Sequence, residues 1–259
     1  MLVGLNRTRY DVRGWGHTYA LLFLLRLQDE KAVPEGMVTK TKNATKWLVK
    51  AIQEMAIPKS GGWNYSLRAG FQDPKNAASP FMTGPTLQAL FHAKARGFKV
   101  KERIVKEAIA ALDRGRTDSG GYAYSASPRQ RASVKGKSED QLSMMDKKGG
   151  ASGRMCVTEA TLYRAGQGDV ERVRDAVKTF FDNWDALKVR KQKNGTHIKP
   201  YGGAPYYFMY AHFYVAQAIE CLPDEERAVW RARLATILKD EEEQEGGWHA
   251  RVFPRSRNY

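Results

Sequence analysis

Two kinds of apolar run alternate along the chain. In the first kind, apolar side chains fall on nearly every face. Tyr19, Leu21, Leu22, Phe23, Leu24, Leu25 and Leu27 form one such run, and Tyr206, Tyr207, Phe208, Met209, Tyr210, Phe213, Tyr214 and Val215 form the richest. Phe81 to His92 is a more mixed version and Val157 to Tyr163 a short one. A helix that is apolar all round must be buried all round. The second kind follows the three-four spacing of an amphipathic helix. Its members are Ala44–Trp47–Leu48–Ala51–Ile52–Met55, Ile104–Val105–Ala108–Ile109–Leu112, Val170–Val173–Val177–Phe180–Phe181–Trp184–Leu187 and Trp230–Leu234–Ile237–Leu238. Charged residues fill the opposite face of each, as on a helix with one wet side. No alternating strand pattern of any length competes with the helices.

Glycine–aromatic turns separate the runs. Ser60-Gly61-Gly62-Trp63 returns as Ser119-Gly120-Gly121-Tyr122 and as Glu245-Gly246-Gly247-Trp248, with weaker echoes at Arg13-Gly14-Trp15-Gly16-His17 and Tyr201-Gly202-Gly203-Ala204. A unit recurring at a period of tens of residues signals a repeat architecture. The order is buried helix, surface helix, turn, and then the same again, for four hairpins. Inner helices ringed by outer ones make an all-α fold, an α/α toroid or an arc of one, read as a single domain over residues 1–259. The last turn should lead into another inner helix, so the chain is also read as a piece of a larger toroid.

Residues 126–152 and 188–204 show no apolar period, and both stretches are basic. Loops of that length are functional or mobile. The formal net charge of +15 points to anionic neighbours, or to a solvated surface rich in Lys and Arg. No arginine-rich arm, zinc-finger spacing or RNA-binding aromatic signature accompanies it. The two cysteines, Cys156 and Cys221, make no disulfide framework, and a reduced cytoplasmic setting is the default expectation. The longest apolar stretch, Tyr19 to Leu25, is far short of the roughly 20 residues of a membrane span. The first residues lack the order of a signal peptide. No P-loop, dinucleotide fingerprint, nucleophile elbow or paired carboxylates stand out.

Trp47-Leu48, Gln53 and Gly61-Gly62-Trp63, and again Leu238, Gln244 and Gly246-Gly247-Trp248, resemble the QW motif of squalene-hopene cyclases. More broadly, they resemble the repeat of terpene cyclases and protein prenyltransferases. Gly120-Gly121-Tyr122 lacks the Gln. The resemblance implies an α/α toroid with an apolar, isoprenoid-type ligand in its lumen. Class II terpene cyclases protonate an alkene with an Asp-x-Asp-Asp acid, which does not occur here. Ser138-Glu139-Asp140 and Asp224-Glu225-Glu226 are acidic runs of another kind, the second read as favourable charge at a helix start. Protein prenyltransferases hold Zn²⁺ with Asp, Cys and His, and the metal activates a thiol. Gly153-Arg154 followed by Cys156 and Glu159, with His212 on a later helix, is similar to that arrangement but lacks its Asp-x-Cys. The resemblance thus implies Cys156, Glu159 and His212 as zinc candidates. Taken alone, they read as a buried thiol, an ordinary helix glutamate and a core histidine bonded to a carbonyl, with no cofactor.

An inner helix shows part of its surface to the lumen, which makes His17, Tyr19, Tyr206, Tyr207, Tyr210 and His212 the candidate ligand-binding residues. Aromatic walls stabilise carbocations by their π faces, and aromatic stripes are equally what ordinary core packing uses. Arg154, near the start of a buried helix, would meet an anion such as a diphosphate, or pair with an Asp or Glu of the adjacent repeat. Two functions follow. One is a lumen binder of an apolar ligand which, if an enzyme, is of the terpene cyclase or prenyltransferase kind. The other is a non-enzymatic toroid that docks an acidic partner through its basic loops. A polysaccharide-cleaving toroid is a third class, without a base that can be placed.

Overall fold

The computed structural model describes residues 12–65, 73, 76–125, 127–191 and 207–242. The Gly-Gly turns at 202–203 and 246–247, and Tyr206, lie outside the described residues. The regular structure within them is entirely helical, with one isolated bridge between Arg116 and Tyr122. The all-α class expected from the pattern is what is found. No helix among the described residues is long and apolar enough to cross a membrane.

The chain gathers into two compact units. The first comprises residues 1–115 and 125–131. It contains α1 (Arg13–Asp29), a 3-10 turn (Glu35–Met37), α2 (Val38–Glu54), α3 (Pro80–Ala95) and α4 (Glu102–Asp113). Here α1 packs on α2 and α3, and α3 packs on α4. Pro80 opens α3 at the position where a missing N–H costs nothing, and α3 is buried from Pro80 through Leu90. The threonine hydroxyls Thr18 and Thr86 meet at 3.0 Å between α1 and α3. Gln28 Nε2 donates to Thr45 Oγ1 between α1 and α2.

The Gly61-Gly62-Trp63 turn ties three helices of this unit together. Both glycines have positive φ, +72° and +71°, a region that a Cβ disfavours. Space demands glycine as well, because a Cβ on Gly61 would run into the carbonyl of Glu107 on α4, and one on Gly62 would lie 2.8 Å from Thr83 Oγ1 on α3. The indole of Trp63 folds back fully buried, and its Nε1–H donates to the Ile52 carbonyl near the end of α2 at 2.8 Å. Its backbone N–H donates to Thr83 Oγ1 at 3.0 Å. Gln53 is buried. Its amide donates to Lys99 O and its Oε1 accepts from Lys101 N, which pins the α3–α4 connection to α2.

The second unit comprises residues 116–124 and 132–259. It holds α6 (Lys148–Arg164), α7 (Val170–Asp182), α8 (Trp184–Lys191), α9 (Tyr207–Ile219) and α10 (Asp224–Asp240). The short α5 (Pro128–Val134) crosses from one unit's residues to the other's. Within this unit α6 packs on α7 and α9, while α9 also packs on α7, α8 and α10. Gly153 allows α6 and α9 to approach closely, since a Cβ there would sit 3.0 Å from Ala211 Cα and 3.1 Å from Tyr207 Oη. Arg174 on α7 clasps Glu226 on α10 through two 2.6 Å hydrogen bonds. The stacked rings of Phe181 and Trp230, 5.0 Å apart, join the same two helices. Asp224, Glu225 and Glu226 do form the first turn of α10.

Several expectations are corrected. Arg13-Gly14-Trp15-Gly16-His17 is the first turn of α1, not a turn between helices. α1 is not buried on every face: Leu21 and Leu25 are fully buried, while Tyr19 is 37% and Phe23 61% exposed. The run from Val170 to Leu187 is two helices that part at Asn183, whose side chain donates back to Thr179 O at 2.8 Å. On α10, Leu234 is the buried residue. Residues 126–152 are not one irregular loop. They contain α5, a 3-10 turn (Glu139–Gln141) and the start of α6.

Candidate functional site

The strongest concentration of buried polar chemistry lies in the second unit, around α6 and the Gly120-Gly121-Tyr122 turn. Gly120 takes φ +88°, and the Thr117 N–H donates to the Gly121 carbonyl at 2.9 Å. The turn delivers Tyr122 into the interior, fully buried. Its hydroxyl donates to Glu159 Oε1 on α6 at 2.8 Å. Arg116 Nε donates to the same oxygen at 3.3 Å. Arg172 from α7 pairs with Oε2 at 2.8 Å and also reaches the Tyr122 hydroxyl at 3.2 Å. Glu159, 1% exposed, therefore sits between two guanidinium groups and a phenol. A buried carboxylate is tolerable only when paired and bonded in this way. Burial, with the adjacent Glu159 charge, pushes the Tyr122 phenol well above its usual range. For Arg172, burial acts to lower the pKa, but Glu159 and Tyr122 outweigh it and the net shift is upward.

Five residues earlier on α6 is Arg154, 2% exposed. Its guanidinium donates to the carbonyls of Met145 and Tyr122 and lies 5.4 Å from the centre of the Tyr124 ring. Nε has no partner. Among the described residues no carboxylate lies within ion-pair distance of it, so the expected pairing with an Asp or Glu is not made. The backbone N–H of Arg154 donates to the Tyr207 hydroxyl at 2.8 Å. Burial pushes the Tyr207 phenol up to about 12. Tyr207 stacks on Tyr210 at 5.5 Å, and Tyr210 packs against Tyr214 at 4.5 Å. Asp146 buttresses the same turn by accepting from Tyr124 N and from Ser143 Oγ. Glu139 caps the start of α6 by accepting from Lys148 N at 2.7 Å.

The lumen candidates divide. Tyr207 and Tyr210 are buried together on α9 beside Arg154. His17 is half-buried on α1 with its ring 5.2 Å from that of Trp47. Tyr19, exposed, stacks at 5.6 Å on Trp15, which also meets Phe81 at 5.0 Å and Tyr65 at 6.2 Å. His212 is buried among Phe180 and Phe208. Trp184 Nε1–H donates to its Nε2 at 2.9 Å, so Nε2 carries the lone pair and Nδ1–H donates to the Phe208 carbonyl at 2.7 Å. The three metal candidates are each engaged elsewhere. Glu159 is held by its arginines, His212 by Trp184 and Phe208, and the Cys156 thiol donates to Ala176 O at 3.4 Å. Burial pushes the Cys156 thiol far up, away from the thiolate that a metal needs. Among the described residues no group of three His, Cys, Asp or Glu side chains converges.

From the sequence Glu159 reads as a zinc candidate or an ordinary helix glutamate, and its pairing with Arg116, Tyr122 and Arg172 is not anticipated. A signal was present: Arg116 and Tyr122 flank the Gly-Gly turn six residues apart, a spacing that a tight turn brings together.

No family model matches the sequence, and no curated protein matches it. Among solved structures the chain is similar to the type II terpene cyclase MstE from Scytonema. Against the apo form the identity is 17%, with 91% of this chain and 72% of that one covered and a TM-score of 0.36. Against a variant in complex with the product merosterolic acid A the identity is 17%, the coverage the same and the TM-score 0.37. Against another variant with the substrate geranylgeranyl dihydroxybenzoate the identity is 16%, with 91% and 71% covered and a TM-score of 0.37.

Proposed function

We propose that the chain binds apolar ligands of isoprenoid type along exposed apolar rows of its helices, each row within one unit, and that in the second unit Arg154 receives an anionic head group. The observation that carries this reading is the exposure of large apolar side chains one turn apart on helices that are apolar all round. On α1 these are Tyr19 and Phe23. On α9 they are Met209 and Phe213, 38% and 49% exposed. Exposed apolar patches of this kind mark ligand grooves or partner surfaces. On α1 the row continues into the ring cluster of Trp15, Tyr65 and Phe81, a surface suited to a polyene chain.

Arg154 supports the head group. Two carbonyls supply dipoles to its guanidinium but no charge, and a buried charge left without a counter-charge is costly. A carboxylate or phosphate supplies what is missing. The function proposed is binding. Glu159 already accepts from Tyr122 and Arg116 and is ion-paired with Arg172, and it is not placed as a proton donor. The alternative, an acidic partner docked through the basic loops, is favoured by no specific observation among the described residues.

The test is a titration with geranylgeranyl diphosphate, geranylgeraniol and inorganic pyrophosphate, followed by tryptophan fluorescence and thermal shift. Saturable binding of both lipids is expected, tighter for the diphosphate. Arg154→Met should remove the difference between them, and Phe213→Ser, in the same unit as Arg154, should weaken both. Absence of saturable binding by either lipid ends the reading.

A further inference from the structure

The first unit carries a feature that the ligand reading does not use. Between α2 and the α3–α4 connection lies an open groove of about 850 Å³. Lys42, Lys46 and Lys50 line it from α2, and Arg96, Lys99 and Lys101 line it from the other side. Glu54 is the acid in the lining, loosely paired with Lys50 at 3.7 Å. Arg96 is paired with Asp29 at 3.3 Å. Among the described residues Lys42, Lys46, Lys99 and Lys101 have no carboxylate within ion-pair distance. The floor is apolar, made by Val49, Phe98 and Val100. It is also rigidly held, because buried Gln53 bonds the backbone at both Lys99 and Lys101. The shape is therefore held by the inward-facing Gln53, while Lys42, Lys46, Lys99 and Lys101 stand around it without a carboxylate partner among the described residues.

We propose that this groove binds an extended acidic peptide of a partner protein, one that alternates acidic and apolar side chains. The lysines on α2 are four residues apart, which on a helix is a step of about 6 Å. Side chains on one face of an extended strand repeat at about 6.6 Å. Carboxylates at every second position of such a peptide meet the lysine row in turn, and the intervening apolar side chains face Val49, Phe98 and Val100. Charge complementarity of this kind steers association and fixes register. A single-stranded nucleic acid fits less well, because its bases need exposed aromatic platforms and the one ring in the lining, Phe98, is half-buried. A membrane surface fits less well because the charges line a concavity.

The experiment compares the whole chain with a K42E/K46E/K99E variant, all three positions being exposed, by fluorescence anisotropy. The probes are a labelled twelve-residue peptide alternating Glu and Val, a peptide of the same composition with its glutamates grouped at one end, and a twelve-nucleotide oligouridine. Sedimentation with vesicles of phosphatidylcholine and phosphatidylserine is the fourth arm. Expected are tightest binding of the alternating peptide, weakening with salt, and a loss of about tenfold or more in the variant. Equal binding of the two peptides, binding unchanged in the variant, or tighter variant-sensitive binding of the oligonucleotide or the vesicles would each overturn the proposal. Isoprenoid titration of the same variant separates this site from the one proposed above, since its lipid binding should match the parent chain.

Discussion

The hydroxyl of Tyr122 donates to Glu159 Oε1 at 2.8 Å, and neither side chain reaches solvent to any extent. This bond joins the second glycine–aromatic turn to the middle of α6. It does for the second unit what the Trp63 indole does for the first, where Nε1–H caps a carbonyl of α2. In both places the residue after two glycines turns inward and spends its single polar hydrogen on a helix. In the second unit that helix acceptor is a charge, which draws in Arg116 and Arg172.

Replacing Glu159 by Gln should therefore cost more than its one lost bond. Two guanidinium groups would remain without their counter-charge. Both arginines keep some solvent access, so the loss should be about 2–3 kcal/mol, below the 3–5 typical of a fully buried pair. Tyr122→Phe should cost about 1–2 kcal/mol. The two changes share a bond, so the double variant should lose less than the sum. Urea denaturation followed by circular dichroism reads all three, and strict additivity would show that the bond does not couple them.

The glycines of the first unit provide a graded series. A Cβ at Gly36 meets nothing within 4 Å, and its φ is not positive. Gly97 has equally open space but φ +81°. Gly61 has φ +72° and the Glu107 carbonyl in the way. Gly36→Ala should be close to neutral and Gly97→Ala should cost about 1–2 kcal/mol from backbone strain alone. Gly61→Ala should cost about 3 kcal/mol or more, strain and collision together. If Gly61→Ala matched Gly97→Ala, the turn would not press on α4 as described.

The same glycines explain what was legible in the sequence. A pair of glycines before an aromatic announces a turn because the demand is local. The amphipathic helices α2, α4 and α7 were legible for the same reason: their buried positions repeat every three or four residues. α6 was half hidden. Its buried face begins at Gly149, eight residues before Val157, in a stretch whose three glycines look like a loop to any reading of helix preference. Within the helix, glycine is required at Gly150, where a Cβ would strike the Met144 carbonyl, and at Gly153, where one would strike α9. The second of these demands comes from distant chain. The Glu159 cluster was hidden likewise, since Arg116 and Arg172 lie 43 and 13 positions away in sequence. Exposure along α1 is not legible in this way, because periodicity says which residues share a face but not whether anything covers it.

Thiol chemistry tests the placement of Cys156. It is fully buried, its Sγ–H is spent on the Ala176 carbonyl, and burial pushes its pKa up. Cys221 is half-buried. Reactivity follows the exposed thiolate, so a maleimide should modify Cys221 in the folded chain and reach Cys156 only in denaturant. Mass spectrometry of the labelled peptides distinguishes them. Rapid labelling of both in the native protein would mean that α6 opens to solvent there, and Cys156 would return as a metal-binding candidate.

Tyr207 gives the chain an alkaline limit that can be assigned to one hydroxyl. Burial holds its phenol neutral up to about 12 in the folded protein, whereas in the unfolded chain it ionises near the ordinary value of about 10. Below pH 10 both states keep the proton and no stability depends on it. Above pH 10 the unfolded state loses the proton first, so stability falls as pH rises toward 12. The loss attributable to this group is about 2–3 kcal/mol across that window. Tyr122, also shifted upward by burial, adds to the same decline. Tyr207→Phe removes the titration but leaves the Arg154 N–H without its acceptor, which should cost about 1–2 kcal/mol at pH 8. The variant should therefore start less stable than the parent and lose less between pH 10 and 12, so that the two curves converge. Parallel curves would show that the Tyr207 hydroxyl reaches solvent before the protein unfolds, contrary to its seat between α6 and α9.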